Sequence, residues 1–152
     1  MKLKVEVEQL ALNAFIGNYQ HSIDTKGRLF LPAKQRSYVG EKVYMTRGLD
    51  DCIFLFSEDG WNSFVESLNN MPSAKSRVAV RYFSGNAAQS DVDSQGRITI
   101  PTTLRKITGV EKDVTVVGAL NRIEIWDTER WESFNTETDS SVVSSLLEEV
   151  GF

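Results

Sequence analysis

Apolar residues along this chain recur in two periods, and the change from one to the other happens twice. Alternation of period two, which buries one face of a strand, marks Arg28-Leu29-Phe30-Leu31 and Arg97-Ile98-Thr99-Ile100. A strand near Tyr19 to Ile23 precedes the first of these. Further strands are predicted at Lys42 to Arg47 with Cys52 to Phe56, and at Val114 to Gly118 with Ile123 to Trp126. Helical spacing then takes over. Trp61, Phe64, Val65 and Leu68 fall at i, i+3, i+4 and i+7, one buried stripe of a helix. Ser57 is placed to cap it, with Glu58 and Asp59 in its first turn. Asp127 opens an equivalent helix carrying Trp131 and Phe134. Such aromatic stripes are read as helix-to-core packing and not as a ligand box.

The two stretches are copies of one another. Aligning Asp24 with Asp93 brings Gly27 onto Gly96, Arg28 onto Arg97, Pro32 onto Pro101, Arg36 onto Arg105 and Gly40 onto Gly109. After a one-residue change in offset, Phe56 meets Trp126, Trp61 meets Trp131 and Phe64 meets Phe134. Each half reads D-x-x-G-R, P, R, G, then an aromatic strand end and W-x-x-F. Two copies are too few for a solenoid, so a pseudo-two-fold α+β domain is expected. In each half Asp opens a tight turn and Gly supplies its left-handed residue. Pro32 and Pro101 are placed as the first residue of a short helix, and Gly40 and Gly109 stop it.

The repeat divides the chain. Residues 1–14 form an N-terminal extension, 15–69 the first repeat, 70–84 a linking helix, 85–135 the second repeat and 136–152 a tail helix. Ala74, Val78 and Tyr82 give the linking helix its stripe, with Lys75, Arg77 and Arg81 beside it. The tail carries Val142, Val143, Leu146, Leu147 and Val150 with Glu148 and Glu149. It is suited to dock on its own domain or on a neighbouring subunit.

Composition is that of an ordinary globular protein, 41% hydrophobic and 25% charged over 152 residues. No apolar run reaches the roughly 18 residues of a membrane helix. Glu6 and Glu8 interrupt any signal-peptide core, and the single cysteine, Cys52, permits no internal disulfide. A cytoplasmic protein is expected. The net charge of −4 disfavours nucleic acid at first sight, but the charge is uneven. Asp24 to Arg47 holds six basic residues against two acidic, whereas Asp127 to Phe152 holds one against seven. A basic face can therefore coexist with an acidic tail.

Arg28 and Arg97 follow tight turns, with Asp24 and Asp93 four residues ahead. A guanidinium pairs bidentately with phosphate or with guanine O6 and N7, and a two-stranded ribbon fits the DNA major groove. Each carboxylate either orients such an arginine for recognition or only staples the hairpin; the residues alone leave both readings open. Catalysis is poorly served. His21 and Cys52 are the only residues of their kinds, and no phosphate loop, zinc spacing or nucleophile elbow is present. No cofactor, metal or small-molecule substrate is expected.

DTKGRLFLPAKQR from Asp24 and DSQGRITIPTTLR from Asp93 resemble the AbrB/SpoVT DNA-binding motif. Their tandem arrangement resembles the bacterial MraZ family. So do FIGNYQHSIDTKGRLFLPAKQR from Phe15, YMTRGLDDCIFLF from Tyr44 and the tryptophan pairs. The resemblance covers roughly residues 15 to 134. It implies a swapped-hairpin β-barrel decorated with helices, a ring-like homo-oligomer, and binding to repeated boxes in double-stranded DNA. Those boxes would lie upstream of a division and cell-wall gene cluster that includes the regulator's own gene. Carried over, Asp24 with Arg28 and Asp93 with Arg97 are the family's Asp–Arg pairs, with Gly27 and Gly96 in the turns. Lys26, Lys34, Arg36 and Arg105 become candidate phosphate contacts. Two departures stand out. Gln95 replaces Lys26, and Thr102 and Thr103 replace Ala33 and Lys34, so the first repeat is expected to lead on DNA. Residues before Phe15 extend beyond the usual start. The competing readings are an antitoxin-like module that binds a protein through its acidic tail, and an assembly protein whose basic hairpins pair subunits.

Overall fold

The computed structural model describes residues 15–151; the extension assigned to residues 1–14 lies outside them. Among the described residues the order is β1 (Asn18–Ser22), β2 (Arg28–Phe30), α1 (Ala33–Val39), β3 (Lys42–Arg47), β4 (Ile53–Phe56), α2 (Glu58–Asn69) and α3 (Ser73–Ser84). The second half follows as β5 (Ala88–Asp91), β6 (Arg97–Thr99), α4 (Thr102–Thr108), β7 (Asp113–Gly118), β8 (Ile123–Asp127), α5 (Thr128–Glu137) and α6 (Ser140–Glu149).

Local chemistry explains the boundaries. Ser57 Oγ accepts from Gly60 N at the start of α2, and the Asp127 carboxylate accepts from Arg130 N at the start of α5. Both satisfy amides that a first helical turn leaves unpaired. Gly40 and Gly109 end α1 and α4 at φ 77° and 71°, values that cost a residue with a Cβ more. Pro32 and Pro101 sit one position earlier than expected, as the N-cap residues. Their ψ values of 151° and 145° still belong to the strand. The chain needs an extended ψ to leave the strand, and proline's fixed φ suits both conformations.

All pairings are antiparallel, and several join the two halves. The larger sheet runs β1-β7-β8-β4-β3-β5, so each half lends its first strand to the other: β1 to β7, and β5 to β3. β4 and β8 make the central seam. Among the described residues β2 and β6 pair only with each other, Arg28 opposite Thr99, Leu29 opposite Ile98 and Phe30 opposite Arg97. Exchange of strands between the halves is present, but closure into the barrel implied by the resemblance is not. Among the described residues β1 and β5 remain edges of an open six-stranded sheet. The reason lies in the turns that follow these edges, which direct the chain into the separate two-stranded ribbon.

The sheet has two buried faces. Val43, Met45, Ile53, Leu55, Val114, Val116, Ile123 and Ile125 point inward, each fully buried. They meet Leu29, Leu31, Ile98 and Ile100 from the ribbon. On the other face Phe54, Phe56, Val117 and Trp126 lie under Trp61, Phe64, Phe83 and Trp131. The W-x-x-F residues are thus packing residues, as their spacing implied. Arg122 ties the halves on this face: its guanidinium lies 4.2 Å from the Phe54 ring centroid and donates to Glu124, which also accepts from Trp126 Nε1.

Ile98 is fully buried where ribbon and sheet meet. Ile98→Ala is expected to cost about 2–5 kcal/mol through lost burial and a residual cavity, read as a lower urea midpoint at unchanged slope.

Candidate nucleic-acid interface

Asp24-Thr25-Lys26-Gly27 forms the first turn. Asp24 N donates to Arg28 O at 2.9 Å, and Gly27 N donates to Asp24 O at 3.0 Å. Gly27 has φ 80°. This is the hydrogen-bond pattern of a three-residue loop closed by a glycine bulge. Asp24 Oδ1 accepts from Lys26 N and Arg28 N, both at 2.9 Å, and Oδ2 accepts from Arg28 Nε at 2.7 Å. The second turn repeats this atom by atom. Asp93 Oδ1 accepts from Gln95 N and Arg97 N at 2.9 and 2.8 Å, and Oδ2 from Arg97 Nε at 2.9 Å.

The carboxylate therefore makes two kinds of contact at once. It staples the turn through two amides, and it fixes the guanidinium through Nε alone. The two η-nitrogens of Arg28 and of Arg97 have no hydrogen-bond partner among the described residues. Each presents an unspent two-pronged donor. The Arg28 amide, then the Arg28 guanidinium and the Lys26 amide, hold the Asp24 carboxyl below its usual range. The Arg97 amide leads the same effect on Asp93. Both carboxylates are ionised throughout the neutral range.

The two turns are locked to each other. Leu31 N donates to Gly96 O at 2.9 Å, and Ile100 N donates to Gly27 O at 2.8 Å. Arg36 and Arg105 complete the lock. Arg36 Nη1 donates to Leu31 O at 2.6 Å, and Arg105 Nε donates to Ile100 O at 3.1 Å. Arg36 lies against Gly96, where a Cβ would collide with Nη1. Arg105 lies against Gly27, its Nη2 3.1 Å from where a Cβ would stand. Each arginine from one half thus buttresses the turn of the other half. Both are partly buried. The structure adds this bracing contact to the phosphate contacts expected of them, and Arg36 Nε and Nη2 and Arg105 Nη1 keep no hydrogen-bond partner among the described residues. A long side chain beside a close glycine has carbonyls to satisfy before it reaches solvent.

The sites come together on the outer side of the ribbon. Leu29 and Ile98 face the core, so Arg28, Phe30, Arg97 and Thr99 face outward. Lys26 stands exposed at the tip of the first turn, and Lys34 is exposed on α1. Phe30 was not anticipated. It is 38% exposed, near His21 and under the Arg36 guanidinium. Strand alternation places it on the same face as Arg28, which is the signal that marks it.

His21 and Cys52 do not form a pair. His21 is exposed on edge strand β1, while Cys52 is fully buried and its thiol donates to Leu49 O. Burial pushes this thiol well above its usual range, the opposite of what a nucleophile needs. Among the described residues no cluster of three or more His, Cys, Asp or Glu side chains is arranged to hold a metal.

Sequence comparison supplies the family. A family profile described as "MraZ protein, putative antitoxin-like" matches residues 14–79 and 83–146. The chain is 43% identical over 132 residues to the transcriptional regulator MraZ of Acetivibrio thermocellus, covering 86% of this chain and 92% of that protein. It is 45% identical over 135 residues to the one from Lachnoclostridium phytofermentans, covering 88% and 96%. With the Syntrophomonas wolfei protein of the same name it shares 43% over 129 residues, 84% and 90% of the two chains. With two matched segments, a twice-built turn and relatives aligned over nearly their full length, this chain belongs to the MraZ family.

Proposed function

We propose that this chain is a sequence-specific, double-stranded-DNA-binding transcription regulator, and that the β2–β6 ribbon is its reading head. One observation carries the reading: two carboxylate-aimed guanidinium forks, Arg28 and Arg97, on the outer face of a rigid two-stranded ribbon. Such a ribbon fits the major groove, where arginine forks match guanine or phosphate. That relatives are named transcriptional regulators supports it.

In this reading Lys26 adds a phosphate contact at the first turn, and Lys34 another on α1. The second turn has Gln95 instead, so the first repeat contributes more charge. Because the turns share one ribbon, they reach DNA as one rigid unit and not as independent hairpins. Arg36 and Arg105 hold the turns and offer their remaining guanidinium nitrogens as phosphate contacts. Repeated promoter boxes, upstream of a division and cell-wall cluster that includes the regulator's own gene, are the target. Repression is the outcome, and the site of action is the cytoplasmic nucleoid. A ring of copies binds such repeats far better than one box, through effective concentration. No cofactor or small-molecule substrate enters this reading.

A second reading is favoured by α6, which is exposed along its whole length with an apolar stripe. The chain would then neutralise a protein partner in the antitoxin-like manner named by the family description. A partner retained only by chains with an intact α6, together with no DNA affinity, would support this alternative.

Three outcomes are expected. Arg28→Ala should weaken binding to promoter DNA about tenfold to a hundredfold, the worth of one bidentate contact. Its melting should stay near that of the parent, because a surface ion pair contributes at most about 1 kcal/mol. Unchanged affinity in a gel shift would falsify the role assigned to Arg28. Next, if roughly four to six phosphates are neutralised, a titration in rising salt should give a log–log slope of about −4 to −5. Finally, the depressed Asp24 and Asp93 carboxyls contribute to the turns above their unfolded-state value. That contribution disappears as pH falls through their lower folded values. Amide exchange at Lys26, Arg28, Gln95 and Arg97 should therefore show turn opening that does not change from pH 8 to 5. It should increase only below about pH 4.

A further inference from the structure

The outward positions of the ribbon are not all arginine. Arg28 stands opposite Thr99, and Phe30 stands opposite Arg97. Phe30 is 38% exposed. A lone apolar residue at a protein surface is ordinary. This one lies on the face that displays both guanidinium forks, and its ring is held there from two sides. The Arg36 guanidinium lies 5.1 Å from the ring centroid, and the His21 ring centroid lies 5.7 Å away. Both supports are themselves tied down. Arg36 donates to Leu31 O, and His21 Nδ1 accepts from Ser22 N at 2.8 Å.

The second half of the ribbon is built differently at the same positions. Moving along by one repeat takes His21 to Ser90, Phe30 to Thr99 and Arg36 to Arg105. The partners there are polar. Thr99 N donates to Ser90 Oγ at 3.0 Å, and Arg105 Nη2 donates to Thr102 Oγ1 at 3.0 Å. A hydrogen-bonded arrangement in one half is thus an aromatic one in the other. Core packing does not call for the ring, since Leu29 and Ile98 already close the core beneath both strands and Phe30 belongs to neither buried cluster. In the major groove the base pairs differ in their donors and acceptors and in one apolar group, the thymine 5-methyl. A phenyl ring has no donor or acceptor to offer, so the methyl is what it can match.

We propose that Phe30 is a specificity-determining residue that reads a thymine 5-methyl group in the major groove. This rests on the ribbon being the reading head and adds an apolar element to its arginine forks. Arg97 stands directly across the ribbon from Phe30, within reach of the same or a neighbouring base pair. Because Arg36 and His21 already hold the ring, little side-chain freedom is lost on contact. Thr99 presents only a small methyl group at the equivalent place. The thymine requirement therefore belongs to the first repeat, and the two halves of a pseudo-symmetric ribbon read unequal bases.

The test uses the full chain and two variants, Phe30→Ser and Phe30→Gln, the second keeping most of the bulk; folding is followed by circular dichroism. The probe is the duplex that the unaltered chain enriches from random DNA. Each of its thymines is replaced in turn by deoxyuridine, which lacks only the methyl group, and affinities are read by fluorescence anisotropy. For the unaltered chain one replacement should weaken binding about fourfold, the worth of one buried methyl group. Both variants should bind that thymine duplex and its deoxyuridine counterpart equally. Phe30→Leu, which keeps an apolar side chain, should retain the preference for thymine. A ring that only props the turns gives a different result: its loss weakens binding to both duplexes alike and leaves their ratio at the parental value. That outcome overturns the proposal. So does an unaltered chain indifferent to every replacement, or an enriched duplex without thymine. Failure of DNA recognition itself shows separately: the unaltered chain then enriches no sequence, and the proposal falls with it.

Discussion

The exchange of backbone hydrogen bonds between β2 and β6 is the constraint on which the rest of this structure depends. Each turn glycine gives its carbonyl to the other half, Gly27 to Ile100 and Gly96 to Leu31. Three-residue strands are too short to persist alone. They persist here because Leu29 and Ile98 are driven into the core from the opposite side. The same pairing leaves Arg28, Phe30, Arg97 and Thr99 no direction but outward. Core closure and display of the guanidinium forks are thus one event, and Arg36 and Arg105 reinforce it by bracing the turns crosswise.

Electrostatics in this molecule is a matter of placement more than of total. The chain is acidic overall. At the ribbon, however, the two nearest carboxylates are consumed by turn amides and by arginine Nε atoms. Each Asp–Arg pair is neutral as a whole, and the added positive charge there comes from Lys26 at the first turn and Lys34 on α1, both exposed. Exposed carboxylates gather in the last two helices, with Glu129, Glu132 and Glu137 on α5 and Glu148 and Glu149 on α6.

Much of this was written in the residues. The duplication, the Asp-x-x-Gly turns, the glycine helix stops and the Ser57 and Asp127 caps are local codes, and local codes are readable from neighbours in sequence. The aromatic stripes also behaved as spacing implied. What could not be read was partnership. Alternation says which face of Arg28–Phe30 is buried but not that its mate is β6 instead of the preceding strand. For the same reason the sheet's open edges were not foreseen. The bracing of the turns by Arg36 and Arg105 was hidden as well, because the motif gives a position on a helix and not every contact of a six-atom side chain. Val78 belongs to the apolar stripe that marks the linking helix. It lies in the open because the aromatic face of β4 is already covered by α2 and by Phe83.

Strand exchange also sets the order in which this chain can acquire its shape. β1 needs β7, β2 needs β6, and β3 needs β5. Each of these partners lies in the half that leaves the ribosome later. The first half can form α1, the β3–β4 hairpin and α2 by itself, but its two leading strands must wait unpaired. Long-range pairing of this kind slows folding and leaves apolar edges open in the meantime. The tight, pre-bent Asp24 turn then has a second use. It keeps β2 from drifting back along β1, so that the waiting strand stays available for the copy of itself that has not yet been made.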